Sequence, residues 1–231
     1  MNNMYQTSRK VIMDLVTELI KEDYLRKDDV LKIMEKHVTG TQEEERIKME
    51  SWYKTLGIER IIKRPFSLSA PYFTDKEMQE IRENDEYLIC VPAGITAHQL
   101  SVLFHMPSWA CSSGLVTQFP ETEDFWFATS KQTLPDYLDR SGFEAMKQYK
   151  KENKLNMSLE RYLVYCAYVY SVTGALPDQK YKVWLPNSRY EGKGMLIAGI
   201  DSAGDFAING WLPQFHSPLV GVRYVRIADH L

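Results

Sequence analysis

Two groupings of side chains in this sequence could do chemistry. The first surrounds Cys111. The run Trp109-Ala110-Cys111-Ser112-Ser113-Gly114 sets a thiol in a small-residue loop, with His98 and His105 upstream and His216 downstream. A cysteine nucleophile needs an adjacent imidazole, and preferably a helix N-terminus, to lower its pKa. Cys111 with His105 or His216 would then carry a hydrolase or transferase reaction. The plainer reading makes Cys111 an ordinary small residue of a loop or core. No Gly-x-Ser-x-Gly elbow offers another nucleophile.

The second grouping interleaves Arg189, Arg223 and Arg226 with Asp201 and Asp205 near the end of the chain. Guanidinium forks bind carboxylates and other anions in bidentate fashion. Arg189, Asp201, Trp211, Arg223 and Arg226 are therefore the candidate ligand-binding residues. The same charges could instead pair across strands at a sheet rim. Trp184, Tyr190, Phe206, Trp211 and Phe215 could line a pocket, or fill a core as alternating strand residues usually do.

Spacing argues against other chemistries. His98 and His105 stand seven residues apart on one predicted helix, about 10 Å along its axis, which is awkward for joint ligation of one metal. There is no His-Glu-x-x-His and no Cys/His quartet, so no metal is expected. Phosphate cradles need a glycine loop opening a helix. Val91-Pro92-Ala93-Gly94-Ile95-Thr96 has one glycine and no following lysine, and Glu191-Gly192-Lys193-Gly194 leads into a strand. Both read as turns, and no cofactor is expected.

The totals bound the partners. The 231 residues are 44% hydrophobic and 12% aromatic, enough for a sizeable core and against long disorder. Net charge is −3, with 13 basic against 12 acidic residues through Arg64 and 15 against 19 beyond it. Neither part is basic, so nucleic acid and anionic membrane are not expected partners. Cys90, Cys111 and Cys166 form no Cys-x-x-Cys and fit reduced cytoplasmic thiols. The N-terminus lacks a signal peptide's apolar core, and no run reaches the roughly 20 apolar residues of a membrane helix.

Periodicity supplies the elements. Val11, Ile12, Leu15, Val16, Leu19 and Ile20 form one apolar face of a helix over 8–22. A second helix starts near Asp28, and a third near Thr41 with Gly57 ending it. Three short helices before a candidate strand at Ile58–Ile62 have the order of a helix-turn-helix DNA-binding regulator. Glu43, Glu44 and Glu45 at the head of the third helix count against that use. The proline-bearing stretch 64–73 reads as an extended connection. Thr74 and Thr96 cap short helices, with Glu77 and Gln99 completing capping boxes. Tyr87–Val91 and Phe125–Phe127 read as strands. Ser158 caps a helix that is apolar nearly all round, closed by Gly174. From Tyr181 to Ile227 four apolar runs separated by turn residues form a strand meander.

The expected fold is α+β: a largely antiparallel sheet with a C-terminal strand meander packed by helices, preceded by a helical N-terminal arm. The expected division is 1–64, a helical arm or three-helix subdomain, and 65–231, the α+β body. From YLICVPAGITAHQLSVLF through MSLERYLVYCAYVY and PNSRY to GVRYVR, residues 86–226 resemble certain small bacterial domains of unknown function. That resemblance implies no activity. The expectation is a non-enzymatic cytoplasmic binding or interaction protein, with a small-molecule or protein partner. Self-association would run through the N-terminal helices. The alternatives are the Cys111 hydrolase or transferase and the DNA-binding regulator.

Overall fold

The structure, a computed structural model, describes residues 41–106, 109–191, 194–201 and 203–229. The helices expected at 8–22 and from Asp28 lie outside the described residues. In chain order the first described elements are α1 (Thr41–Thr55), α2 (Ile58–Ile62), α3 (Asp75–Glu83), β1 (Glu86–Val91), α4 (Ala97–Leu103), α5 (Trp109–Ser112) and β2 (Phe125–Ser130). There follow α6 (Gly142–Lys151), β3 (Leu155–Asn156), α7 (Leu159–Thr173), β4 (Lys182–Tyr190), β5 (Gly194–Ile200), β6 (Phe206–Trp211), β7 (Val220–Gly221) and β8 (Tyr224–Val225). The fold is α+β.

The meander is β4-β5-β6, antiparallel throughout, with β7 added parallel to β4, giving the order β6-β5-β4-β7. β5 carries Met195-Leu196-Ile197-Ala198-Gly199-Ile200, is paired on both sides, and is buried along that run. An apolar run with no polar alternation is the pattern of a strand covered on both faces. β4 contains Pro186, which cannot donate a ladder bond. The register accordingly shifts between Leu185 and Arg189.

That bulge has a structural consequence. It presents Ser188, whose Oγ accepts from the Leu159 N–H at 3.0 Å, while Ser158 Oγ accepts from the Arg161 N–H. Two of the unpaired N–H groups that open any helix are thereby satisfied at the start of α7. Every residue of α7 from Leu159 to Val169 is buried. The helix touches β4 of the sheet, β1 of the β1–β2 hairpin, and α4. Its all-round apolar sequence fits this central position.

One large core joins this helix, the hairpin and one face of the sheet. The opposite face of the sheet carries a smaller core, with Ala145 and Tyr149 of α6 against Trp184, Met195 and Ile197. α6 approaches very closely: a Cβ at Gly142 would stand 2.4 Å from the Met195 sulfur. A larger residue there would have to displace the Met195 thioether and would press on the Trp184 ring at 3.3 Å.

Residues on both sides of Arg64 contribute to the large core. Met49 and Tyr53 of α1 are fully buried in it, and the Tyr53 hydroxyl donates to the Cys90 carbonyl at 2.8 Å. Ile58–Ile62, expected as a strand, is instead the short helix α2. Its apolar residues 58, 61 and 62 have helical spacing, i, i+3 and i+4, which a five-residue run does not distinguish from a strand. Gly57, at φ +83°, ends one helix and admits the next. The stretch 65–73 lies in no helix or strand, and carboxylates meet its backbone. Glu59 accepts from the Phe66 N–H at 3.0 Å, Glu50 from Leu68 at 3.1 Å and Asp124 from Ser69 at 2.7 Å.

The last segment differs from the single strand its sequence suggests. Residues 220–226 change partner every two residues. β7 lies beside β4, Val222 bridges Asp136, β8 pairs with β3, and Arg226 bridges Ala128 of β2. This thread positions the charged groups described next.

Candidate functional site

Alternation along the final thread sends its side chains to two different places. Arg223 enters the interior. Tyr224 and Arg226 reach a cleft of about 720 Å³ between the start of β1, the loop from α6 to β3, and the tail after β8. Glu86, Glu152, Lys154, Tyr224, Arg226 and Asp229 supply its charged and phenolic walls.

These groups hold one another. The Tyr224 hydroxyl donates to Glu86 Oε1 at 2.6 Å, and Arg226 donates to Glu86 Oε2 at 3.4 Å and to Glu80 Oε2 at 2.5 Å. Glu86, the first residue of β1, is buried, and these two donors satisfy its carboxylate. Burial works against the Arg226 charge, but the bonds to Glu80 and Glu86 outweigh it and raise its pKa. Burial, then the bond to Glu86, pushes the Tyr224 phenol well above its ordinary range, so it stays a donor.

On the facing wall the Lys154 ammonium sits 4.3 Å from the centre of the Tyr224 ring and 3.2 Å from Glu152. The Tyr137 hydroxyl, the Gln148 amide and Lys154 hold the Glu152 carboxyl down at about 2. Arg226 and Glu152 thus keep fixed positive and negative charge in the cleft at neutral pH, each held by its own hydrogen bonds.

Arg223 is the opposite case. Its side chain and that of Asp178 are 2% and 0% exposed. Arg223 Nε donates to both Asp178 oxygens at 3.1 and 2.8 Å, and Nη2 donates to Asp178 at 2.6 Å and to the Gln132 carbonyl at 2.9 Å. Tyr162 donates to the same carboxylate at 3.0 Å, and the guanidinium lies 4.8 Å from the Tyr165 ring centre. Burial opposes the Arg223 charge, yet the Asp178 partnership raises its pKa. This arrangement ties the loop after α7 to the final thread.

The other arginine and aspartates serve local turns. Arg189 is exposed and donates to the Pro186 carbonyl at 2.7 Å, bracing the β4 bulge. Asp201 Oδ1 accepts from the Ala203 and Asp205 N–H groups at 2.9 and 3.0 Å, closing the β5–β6 hairpin over Gly204, φ +88°. Trp211 is partly buried, packed edge-on against Trp184 at 6.0 Å in the smaller core. Of the five candidate ligand-binding residues, Arg226 alone lines the 720 Å³ cleft.

Cys111 is buried in α5. The Gln118 side chain joins this turn to α4, donating to the Cys111 carbonyl at 3.1 Å and accepting from the His98 N–H at 3.4 Å. His98, His105 and His216 are all exposed, and His216 bonds Asp139 at 3.0 Å, which raises the imidazole pKa. Burial pushes the Cys90 and Cys166 thiols well up. Among the described residues no group of three or more His, Cys, Asp or Glu could hold a metal ion. On α1, Arg46 pairs with Glu43 and Glu50, Lys48 with Glu45, and Lys54 with Glu50, so the helix neutralises much of its own positive charge.

Sequence reasoning missed Glu86, Glu152, Lys154 and Tyr224. One signal was available for Tyr224: it stands two residues before Arg226, on the same side of an extended chain, whereas Arg223 stands three before it, on the other. No described helix is long and apolar enough to cross a membrane. Compared with protein-family models, with curated proteins and with solved structures, the chain matches none.

Proposed function

We propose that this chain is a non-enzymatic, cytoplasmic binding protein of bacterial type whose cleft at Glu86, Tyr224 and Arg226 takes a small zwitterionic ligand of amino-acid or dipeptide size. The observation that carries the reading is the ordered set of opposite charges around a 720 Å³ space. That volume lies in the range of about 300–1,000 Å³ usual for small-molecule sites. Arg226 and Lys154 suit a ligand carboxylate, and Glu152 and Asp229 suit an ammonium group. Because the walls are already held by the Tyr224–Glu86 and Arg226–Glu80 bonds, little ordering is needed on binding, and such pre-organisation favours affinity. Three widely spaced cysteines without a Cys-x-x-Cys support the cytoplasmic assignment.

Thermal-shift and calorimetric titration with a panel of free amino acids and dipeptides tests the reading. At least one member is expected to raise the melting temperature of the wild type and to bind Arg226→Ala at least tenfold more weakly. A panel that leaves the wild type unmoved, or binds Arg226→Ala equally well, contradicts it.

A further inference from the structure

The β6 edge of the four-stranded sheet has no strand beside it among the described residues. Its hydrogen-bonding direction follows from the hairpin. The Asp201 N–H donates to the Asp205 carbonyl at 2.9 Å, so that pair faces inward across the hairpin. Hydrogen-bonded pairs alternate in an antiparallel ladder. Ala207, Asn209 and Trp211 therefore bond to Gly199, Ile197 and Met195 of β5, their register partners. Phe206, Ile208 and Gly210 turn their N–H and C=O groups out from the sheet edge.

Natural edges are usually guarded by charge, proline, a bulge or a covering element. Phe206-Ala207-Ile208-Asn209-Gly210-Trp211 has no charge and no proline, and its register with β5 is unbroken over all six residues. The edge is also self-complementary. With Ile208 opposite Ile208 of a second copy, the outward groups of the two strands meet in register. Phe206 then stands opposite Gly210, where the Tyr190 side chain of the same chain covers the position a Cβ would take. Asp205 stands opposite Trp211, and the two copies of Asp205 lie about 20 Å apart along the strands, beyond strong repulsion.

We infer that β6 is a dimerisation edge. Two copies of this chain pair antiparallel through residues 206–211 about a two-fold axis at Ile208, joining their four-stranded sheets edge to edge. The partner is a second copy because this one strand provides both halves of a matched, uncharged ladder. The surface is separate from the Arg226 cleft and does not rest on the reading of that cleft.

Light scattering after size exclusion, with two variants, tests the inference. The wild type is expected at twice the 26.9 kDa chain mass at high loading. The Ala207→Lys/Asn209→Lys variant alters one partly exposed and one exposed position. It is expected to run as a monomer with unchanged circular dichroism.

In the paired register Ala207 faces Asn209 of the other copy at a non-hydrogen-bonded position, where Cα atoms lie about 4.5 Å apart and a disulfide fits. Ala207→Cys/Asn209→Cys should therefore form an interchain cross-link on mild oxidation. Neither single cysteine should do so, and Cys90, Cys111 and Cys166 are buried and stay silent. A wild type of single-chain mass at every loading overturns the inference. So does a dimer that persists in the lysine variant while the double cysteine stays uncross-linked, the result expected if residues 1–40 carry the association.

Discussion

Arg223 and Arg226 are three residues apart on one extended thread, and each bonds carboxylates, yet they do different work. Arg223 is 2% exposed, and its Nε and Nη2 donors are met by Asp178 and a backbone carbonyl. Arg226 is 20% exposed and borders the 720 Å³ cleft with Tyr224 and Lys154. An arginine–carboxylate pair is therefore not itself a site. A buried, saturated pair fixes the fold, whereas a pair of the same chemistry at a wall can orient charge toward a ligand.

The largest effect that would break this contrast is at the buried pair. Asp178→Ala leaves a buried guanidinium without its carboxylate and should lower stability by about 3–5 kcal/mol in urea unfolding. Asp178→Leu with Arg223→Met should recover most of that loss, because an apolar pair carries no desolvation penalty. If Asp178→Ala unfolds no more easily than the wild type, the architectural role of the pair is wrong.

Arg226→Ala should cost only about 1 kcal/mol, since the side chain is partly solvated and its partners can turn to water. Its effect on ligand binding should be much larger than its effect on folding, the reverse of Asp178→Ala. Tyr224→Phe removes one charge-assisted bond to Glu86 and should cost roughly 1–2 kcal/mol at most. Retained binding with lowered affinity would make Tyr224 an orienting group for Glu86 and Arg226. Asp201→Ala loosens the β5–β6 hairpin by about 0.5–1 kcal/mol and should leave cleft binding unchanged, because Asp201 lies outside that wall.

The smallest effect is in acid. Glu152 is lowered from 4.5 to about 2 in the folded chain. A depressed carboxyl stabilises the fold fully above its unfolded pKa and loses that contribution as pH falls through the folded one. The stability gap between wild type and Glu152→Gln should therefore be constant near neutrality and shrink between pH 4.5 and about 2. A gap that widens in that window would mean Glu152 is not held by Tyr137 and Gln148.

The sequence made the architecture readable where local rules are strong. Capping boxes at Thr74 and Thr96 stand where Ser/Thr-x-x-Glu/Gln places them. The all-round apolar helix is central, and MLIAGI is an inner strand. Ile58–Ile62 is helical, in keeping with the i, i+3, i+4 spacing of its isoleucines, but five residues are too short a run for periodicity to decide. The site was hardly legible, since its members come from sequence-distant elements: Glu86 opens β1, Lys154 follows α6, and Arg226 ends the thread. Pairing also misled. Asp201 and Asp205 are near the arginines in sequence, but the partner of Arg223 is Asp178, held in a loop at φ 53° that no periodicity announces. Alternation over 222–226 could still have separated Arg223 from Arg226, because an odd spacing in extended chain means opposite sides.

The most direct test of the central claim is an amide chemical-shift titration of the ¹⁵N-labelled protein with the amino-acid and dipeptide panel. Saturable shifts are expected at Glu86, Asn153, Lys154, Tyr224 and Arg226, with Asp178 unmoved. Shifts centred on Asp178, or none at the cleft with any member of the panel, would contradict that claim.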